Sequence, residues 1–82
     1  MTNFLSSAEL EQYKNFYQSF KFSISSGMWI DSILVIDIPK RRQQVKIYPW
    51  NGKYNAEVTN GGVFVFNTVD SALEHLYRIW GK

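Results

Sequence analysis

Gln43-Gln44-Val45-Lys46-Ile47-Tyr48-Pro49-Trp50-Asn51-Gly52-Lys53-Tyr54-Asn55-Ala56-Glu57-Val58 is the stretch on which the fold turns. Asn51-Gly52 at its centre predicts a two-residue hairpin loop, because a type I′ turn needs positive φ at both central positions. With these two residues as the turn, Trp50 stands opposite Lys53 and the register follows. Ile47 then opposes Ala56 and Val45 opposes Val58 on one face. Lys46 opposes Glu57 and Gln44 opposes Thr59 on the other. Apolar residues fall together and opposite charges meet, as cross-strand pairing favours.

Working outward toward the C-terminus, Asn60-Gly61-Gly62 marks the next reversal. A two-residue turn there puts Val63 and Val65 on the Val58 face, and a three-residue turn with a Gly in the left-handed region puts Phe64 and Phe66 there. The three-residue turn is favoured, since two phenylalanines are costlier to expose than two valines. Thr68 then caps a helix whose first turn holds Asp70, the sign that complements the helix dipole. Val69, Ala72, Leu73, Leu76, Tyr77 and Trp80 form its apolar stripe. Glu74 and Arg78 stand at i,i+4 on the wet side, and Gly81 is a candidate C-terminal cap.

Toward the N-terminus, the basic turn Pro39-Lys40-Arg41-Arg42 precedes the hairpin. Before it, residues 29–38 are rich in β-branched side chains and end at a proline, which predicts a strand from Trp29 to Ile38. Ser25-Ser26-Gly27 breaks the chain ahead of that strand. Phe20, Phe22 and Ile24 alternate with Lys21, Ser23 and Ser25, so 21–25 reads as a short extra strand or an extended connection. Ser6 with Glu9 forms a capping box, and Leu5 with Leu10 occupies the hydrophobic-staple positions. Leu10, Tyr13, Phe16, Tyr17 and Phe20 then recur at helical spacing, predicting a helix over 7–20. The expected fold is α+β: an N-terminal helix, a four-stranded antiparallel meander and a C-terminal helix, within a single domain over 1–82.

Composition agrees with one small domain. Fourteen of the 82 residues are aromatic, a dense supply of buriable area for a chain this short. There is no cysteine, which excludes disulfides, thiol nucleophiles and thiolate metal sites. No signal peptide or membrane span is read from the chain, so a cytoplasmic protein is expected. The net charge of +2 neither demands nor excludes an acidic partner.

Two surfaces are candidates for function. The simplest packing sets both helices on one sheet face, over Leu34, Ile36, Ile38, Val45, Ile47, Ala56, Val58, Phe64 and Phe66. The other face would then show Ile33, Val35, Tyr48, Trp50, Val63 and Val65 among Asp31, Asp37, Lys46 and Glu57. Such a patch marks a partner or homodimer surface. The alternative packing places one helix on each face, or folds the N-terminal segment over the second face. The second candidate surface is Lys40, Arg41 and Arg42 with Lys46 and Lys53, near Tyr48, Trp50 and Tyr54. Basic residues beside aromatics can track phosphates and stack bases; three charges in a turn can also simply blunt a sheet edge or meet an acidic protein.

Catalysis finds little to work with. His75 is the sole histidine, the seven carboxylates are scattered, and no nucleophile–base pair or phosphate-cradling glycine loop is present. No cofactor or metal is called for. A non-catalytic protein-binding inhibitor or adaptor is therefore expected; the alternative is a small RNA- or DNA-binding domain using the hairpin 40–54.

The segment Phe66-Asn67-Thr68-Val69-Asp70-Ser71-Ala72-Leu73-Glu74-His75-Leu76-Tyr77, a strand handing over through a capped start to an aromatic-rich helix, resembles a piece common in small phage-encoded proteins. The whole format of one antiparallel sheet, two helices and dense aromatics resembles some anti-CRISPR and other anti-defence inhibitors. That resemblance implies a protein that occludes a surface of a host nucleoprotein complex. It transfers no functional residues. The basic turn departs from the acidic, DNA-mimicking members of that group.

Overall fold

The computed structural model describes residues 6–27 and 33–80. Its strands form one antiparallel sheet in sequence order. After α1 (Ser7–Phe16) come β1 (Lys21–Ser25), β2 (Ile33–Ile38), a single 3₁₀ turn (Pro39–Arg41), β3 (Gln43–Trp50), β4 (Lys53–Val58), β5 (Gly62–Phe66) and α2 (Val69–Trp80). The meander thus has five strands, not four. The alternating segment 21–25 is the additional one, pairing Lys21 with Asp37 and Ser25 with Ile33.

The central hairpin has the expected register. Trp50 pairs with Lys53, Ile47 with Ala56, Lys46 with Glu57 and Val45 with Val58. Asn51 and Gly52 take φ of 51° and 77°, the left-handed values a type I′ turn demands. A Cβ at Gly52 would meet nothing within 4 Å, so glycine is needed there for its backbone conformation and not for space. Thr59 extends the ladder through its N–H to the Gln44 carbonyl at 3.0 Å.

At the next reversal Phe64 and Phe66 do share the Ala56 and Tyr54 face. The loop lies one residue earlier than the glycines alone predict: Val58 pairs with Gly62, leaving Thr59, Asn60 and Gly61 as the connection. Asn60 and Gly62 supply the positive φ. Gly61 is required for close approach, since a Cβ there would stand 2.8 Å from a methyl of Val58.

Both helices pack on one face. α1 lies against β1, and α2 lies over β4 and β5. Leu34, Ile36, Val45, Ile47, Ala56, Ala72 and Leu73 have no exposure at all. Each of the larger ones contributes about 1.5–3 kcal/mol by leaving water. The Ser6–Glu9 capping box is closed in both directions, and the Ser71 N–H donates to Thr68 Oγ1 at 3.0 Å to cap α2.

Two further expectations need correction. The first helix ends at Phe16 rather than Phe20, because Tyr17 leaves helical geometry at φ −108°, ψ 69°. Tyr17 and Phe20 nevertheless reach the core from the turn that follows, at 8% and 3% exposure. Phe64, expected in the core, is 47% exposed, because it sits on an edge strand with a neighbour on one side only. The beginning of the 29–38 strand, the Leu5 staple, Asp31 and the Gly81 cap lie outside the described residues.

Candidate functional site

The face turned away from the helices is built by the alternate residues of all five strands. One rung across it runs Ser23, Val35, Lys46, Glu57, Val63. Beside it, Ser25 pairs with Ile33 on one side, and Tyr48, Asn55 and Val65 pair in turn on the other. Trp50 and Lys53 form the next pair at the hairpin end, and Lys21, Asp37 and Gln44 form a polar rung at the opposite end.

The polar residues of this face largely engage one another. Gln44 Nε2 donates to Asp37 Oδ1 at 3.0 Å, Tyr48 Oη donates to Glu57 Oε2 at 3.2 Å, and Lys53 Nζ donates to Asn67 Oδ1 at 3.1 Å. Lys46 stands opposite Glu57 in register, but the ion pair found among the described residues is Arg78–Glu74 on α2, at 3.4 Å. The Glu57 carboxylate is instead held by the Tyr48 phenol.

The apolar residues are unequally open. Trp50, Val63 and Val65 are 51%, 53% and 59% exposed. Ile33 and Tyr48 are half-buried, and Val35 is buried within its rung. The open apolar surface is therefore concentrated at β5 and the Trp50 corner and not spread over all six residues. Tyr54 belongs to the helix-covered face, paired with Pro49 and Phe66.

The basic turn is a separate place. Lys40, Arg41 and Arg42 are exposed around the 3₁₀ turn, and Arg42 adopts the left-handed region at φ 53°, ψ 39°. Trp50 is eight residues further along β3, or about 26 Å in an extended strand. The basic cluster and the exposed tryptophan thus occupy opposite ends of the sheet. Lys46 lies between them, and Lys53 sits at the Trp50 end. Beside the turn, Lys21, Asp37, Pro39, Arg42, Gln43 and Thr59 contribute to an open groove of about 510 Å³. The Gln43 Oε1 is buried there without a hydrogen-bond partner.

A second exposed aromatic escaped the sequence reading. Phe16, placed on the apolar stripe by its spacing, is 73% exposed and rests edge-on against Tyr17 with ring centroids 4.8 Å apart. Tyr13, Phe16, Tyr17 and Asp70 help line a shallow groove of about 540 Å³. Tyr13 Oη donates to Asp70 Oδ1 at 2.6 Å. Burial, reinforced by that carboxylate, holds the Tyr13 phenol well above its ordinary pKa. Burial also raises Tyr17, with the charges of Asp70 and Glu74 adding to the effect.

His75 is exposed on α2, with its ring centroid 5.4 Å from that of Phe66 and 6.4 Å from that of Phe64. Among the described residues no three His, Cys, Asp or Glu side chains gather where they could hold a metal ion. No helix there is long and apolar enough to cross a membrane. Comparison with protein-family models, with curated proteins and with solved structures finds no match for this chain.

Proposed function

We propose that this chain is a non-catalytic protein-binding module, an inhibitor or adaptor that docks a partner on the open face of its sheet. The observation that carries the reading is the segregation of the two helices to one face, which leaves Trp50, Val63 and Val65 each more than half exposed on the other. A tryptophan set in a rim of satisfied polar side chains has the make-up of an interface anchor. The format resemblance to phage-encoded anti-defence proteins makes a surface of a host nucleoprotein complex the favoured partner. The basic turn, at the far end of the sheet, supplies a second contact of opposite character.

The nucleic-acid alternative is less well supported, because base stacking and phosphate tracking need aromatics and cations in one groove. Here the three-cation turn Lys40–Arg42 is separated from Trp50 along β3, which leaves Lys53 and Lys46 as the cations beside the outer-face aromatics. The test is affinity capture from a bacterial lysate with wild-type protein and Trp50→Ala, each with and without nuclease. The reading expects a protein that wild type retains after nuclease and Trp50→Ala releases, with affinity down by roughly thirtyfold or more. Equal capture by the variant overturns it. So does capture that disappears with nuclease and weakens steeply as salt rises.

A further inference from the structure

We propose that the free edge of β5 pairs with β5 of a second copy of this chain, antiparallel and centred on Phe64. The hydrogen-bond phase of the sheet shows which groups are available. Thr59 bonds toward β3 through its N–H, so in the alternating antiparallel pattern Val58, Ala56 and Tyr54 bond toward β5. Their partners Gly62, Phe64 and Phe66 face β4. Val63 and Val65 therefore turn their N–H and C=O outward, and β5 is the last strand of the sheet.

The two edges of the sheet differ in how they are protected. β1 begins with Lys21, carries Ser23 and Ser25, and has α1 against it. β5 reads Gly-Val-Phe-Val-Phe with no charge and no proline, and Val63, Phe64 and Val65 are each about half exposed. Charges and proline are devices that keep edges from pairing, and β5 has neither. α2 packs on its inner face, as α1 does on that of β1, so the edges differ in their residues and not in their cover.

A second copy fits this edge on three counts. Antiparallel self-pairing about Phe64 sets Val63 opposite Val65 of the other copy, so outer-face residues meet outer-face residues and about four inter-chain hydrogen bonds form. The two Phe64 rings meet on the inner face, at a pair of the closely spaced kind. α2 lies over β4 and β5. With strands about 4.8 Å apart, its axis stands roughly 5 Å from the dyad and the two copies of α2 about 10 Å from each other, the distance of packed helices. On α2, His75 stands beside β5 with its ring near those of Phe64 and Phe66; Ser71 and Ile79, one turn to either side, are exposed as it is, and the three carry no carboxylate, Lys or Arg. The dimer would join the two outer faces into one continuous sheet surface of twice the width.

Sedimentation velocity across roughly 10 µM to 1 mM should show wild-type protein passing from monomer to dimer, the range expected for a small interface. Val65→Pro deletes an edge-facing N–H while leaving the bonds to β4 in place, and should weaken the dimer by roughly thirtyfold. Trp50→Ala, which tests partner docking, should leave dimerisation unchanged, so the two proposals fail separately. Amide exchange on unmodified protein provides a reading independent of any variant: Val63 and Val65 should slow as concentration rises. A wild-type monomer throughout the range overturns the proposal. A dimer indifferent to Val65→Pro or disrupted by Trp50→Ala does so too, as does exchange at Val63 and Val65 that ignores concentration.

Discussion

α2 buries Val69, Ala72, Leu73 and Leu76, whereas α1, standing on the same sheet face, buries none of its residues. Leu10 and Tyr13 of α1 only lean against the core. What ties the first helix down comes from elsewhere: the Tyr13 bond to Asp70 on α2, and Tyr17 and Phe20, which follow its last turn. Tyr17 packs edge-on against Tyr77 with centroids 5.0 Å apart, and Phe20 does the same at 5.6 Å. One helix is part of the core; the other is a cover strapped on by a few aromatic and polar contacts. Apolar periodicity reveals which side of a helix faces inward, and it does not reveal how deeply that side is buried.

Substitutions can break this contrast or sharpen it. Leu73→Ala removes a fully buried side chain from the centre of α2 and should cost about 3 kcal/mol, read as a fall in the urea midpoint. A loss under about 1 kcal/mol would mean α2 is no more integral than α1.

Tyr13→Phe deletes the bond between the helices and should cost about 1 kcal/mol or less, because the pair is partly exposed. Its clearer signature is in alkali. The folded state raises the Tyr13 pKa above the ordinary 10.0. The unfolded chain therefore releases the phenolic proton first as pH climbs, and stability present below about pH 10 declines above it. Tyr13→Phe should make that decline shallower in thermal scans from pH 8 to 11, while the raised Tyr17 keeps part of it. An unchanged slope would remove the strap from the account.

Ser6→Ala opens the capping box and should cost about 0.5–1 kcal/mol. Because α1 is peripheral, the loss should appear as faster amide exchange confined to α1, with the sheet unaffected. Uniform acceleration would show that the helix and the sheet open together.

The parts of the fold legible in the sequence are those set by local chemistry. Asn51-Gly52 dictates its turn through φ, and the register of β3 and β4 follows to the last residue. Ser6, Glu9 and Thr68 mark helix starts because their side chains satisfy backbone groups a few residues away. The end of α1 was not legible, since Phe16, Tyr17 and Phe20 continue a helical spacing that the chain abandons at Tyr17 in order to enter β1. The candidate site divides in the same way. The outer-face membership of Ile33, Val35, Tyr48, Trp50, Val63 and Val65 follows from alternation. Their unequal exposure depends on which strand is central and which is an edge, and on neighbours brought together only by the sheet. The nearness assumed between the basic turn and Trp50 ignored the length of an eight-residue strand.

The left-handed turns also bear on the chemical lifetime of the chain. Asn51-Gly52 and Asn60-Gly61 are both Asn–Gly sequences, in which the unhindered glycine nitrogen can attack the asparagine side-chain carbonyl, expel ammonia and close a succinimide that water then opens to an aspartyl or isoaspartyl link. In the fold the nitrogen of Gly61 is occupied, donating its proton to the Val58 carbonyl at 3.0 Å. Deamidation on storage should therefore reach Asn51 before Asn60 in folded protein and lose that order in denatured chains. Each event would add a negative charge to a hairpin loop, and each isoaspartyl product a methylene to the backbone, so the turns that set the register are also where the protein would age first.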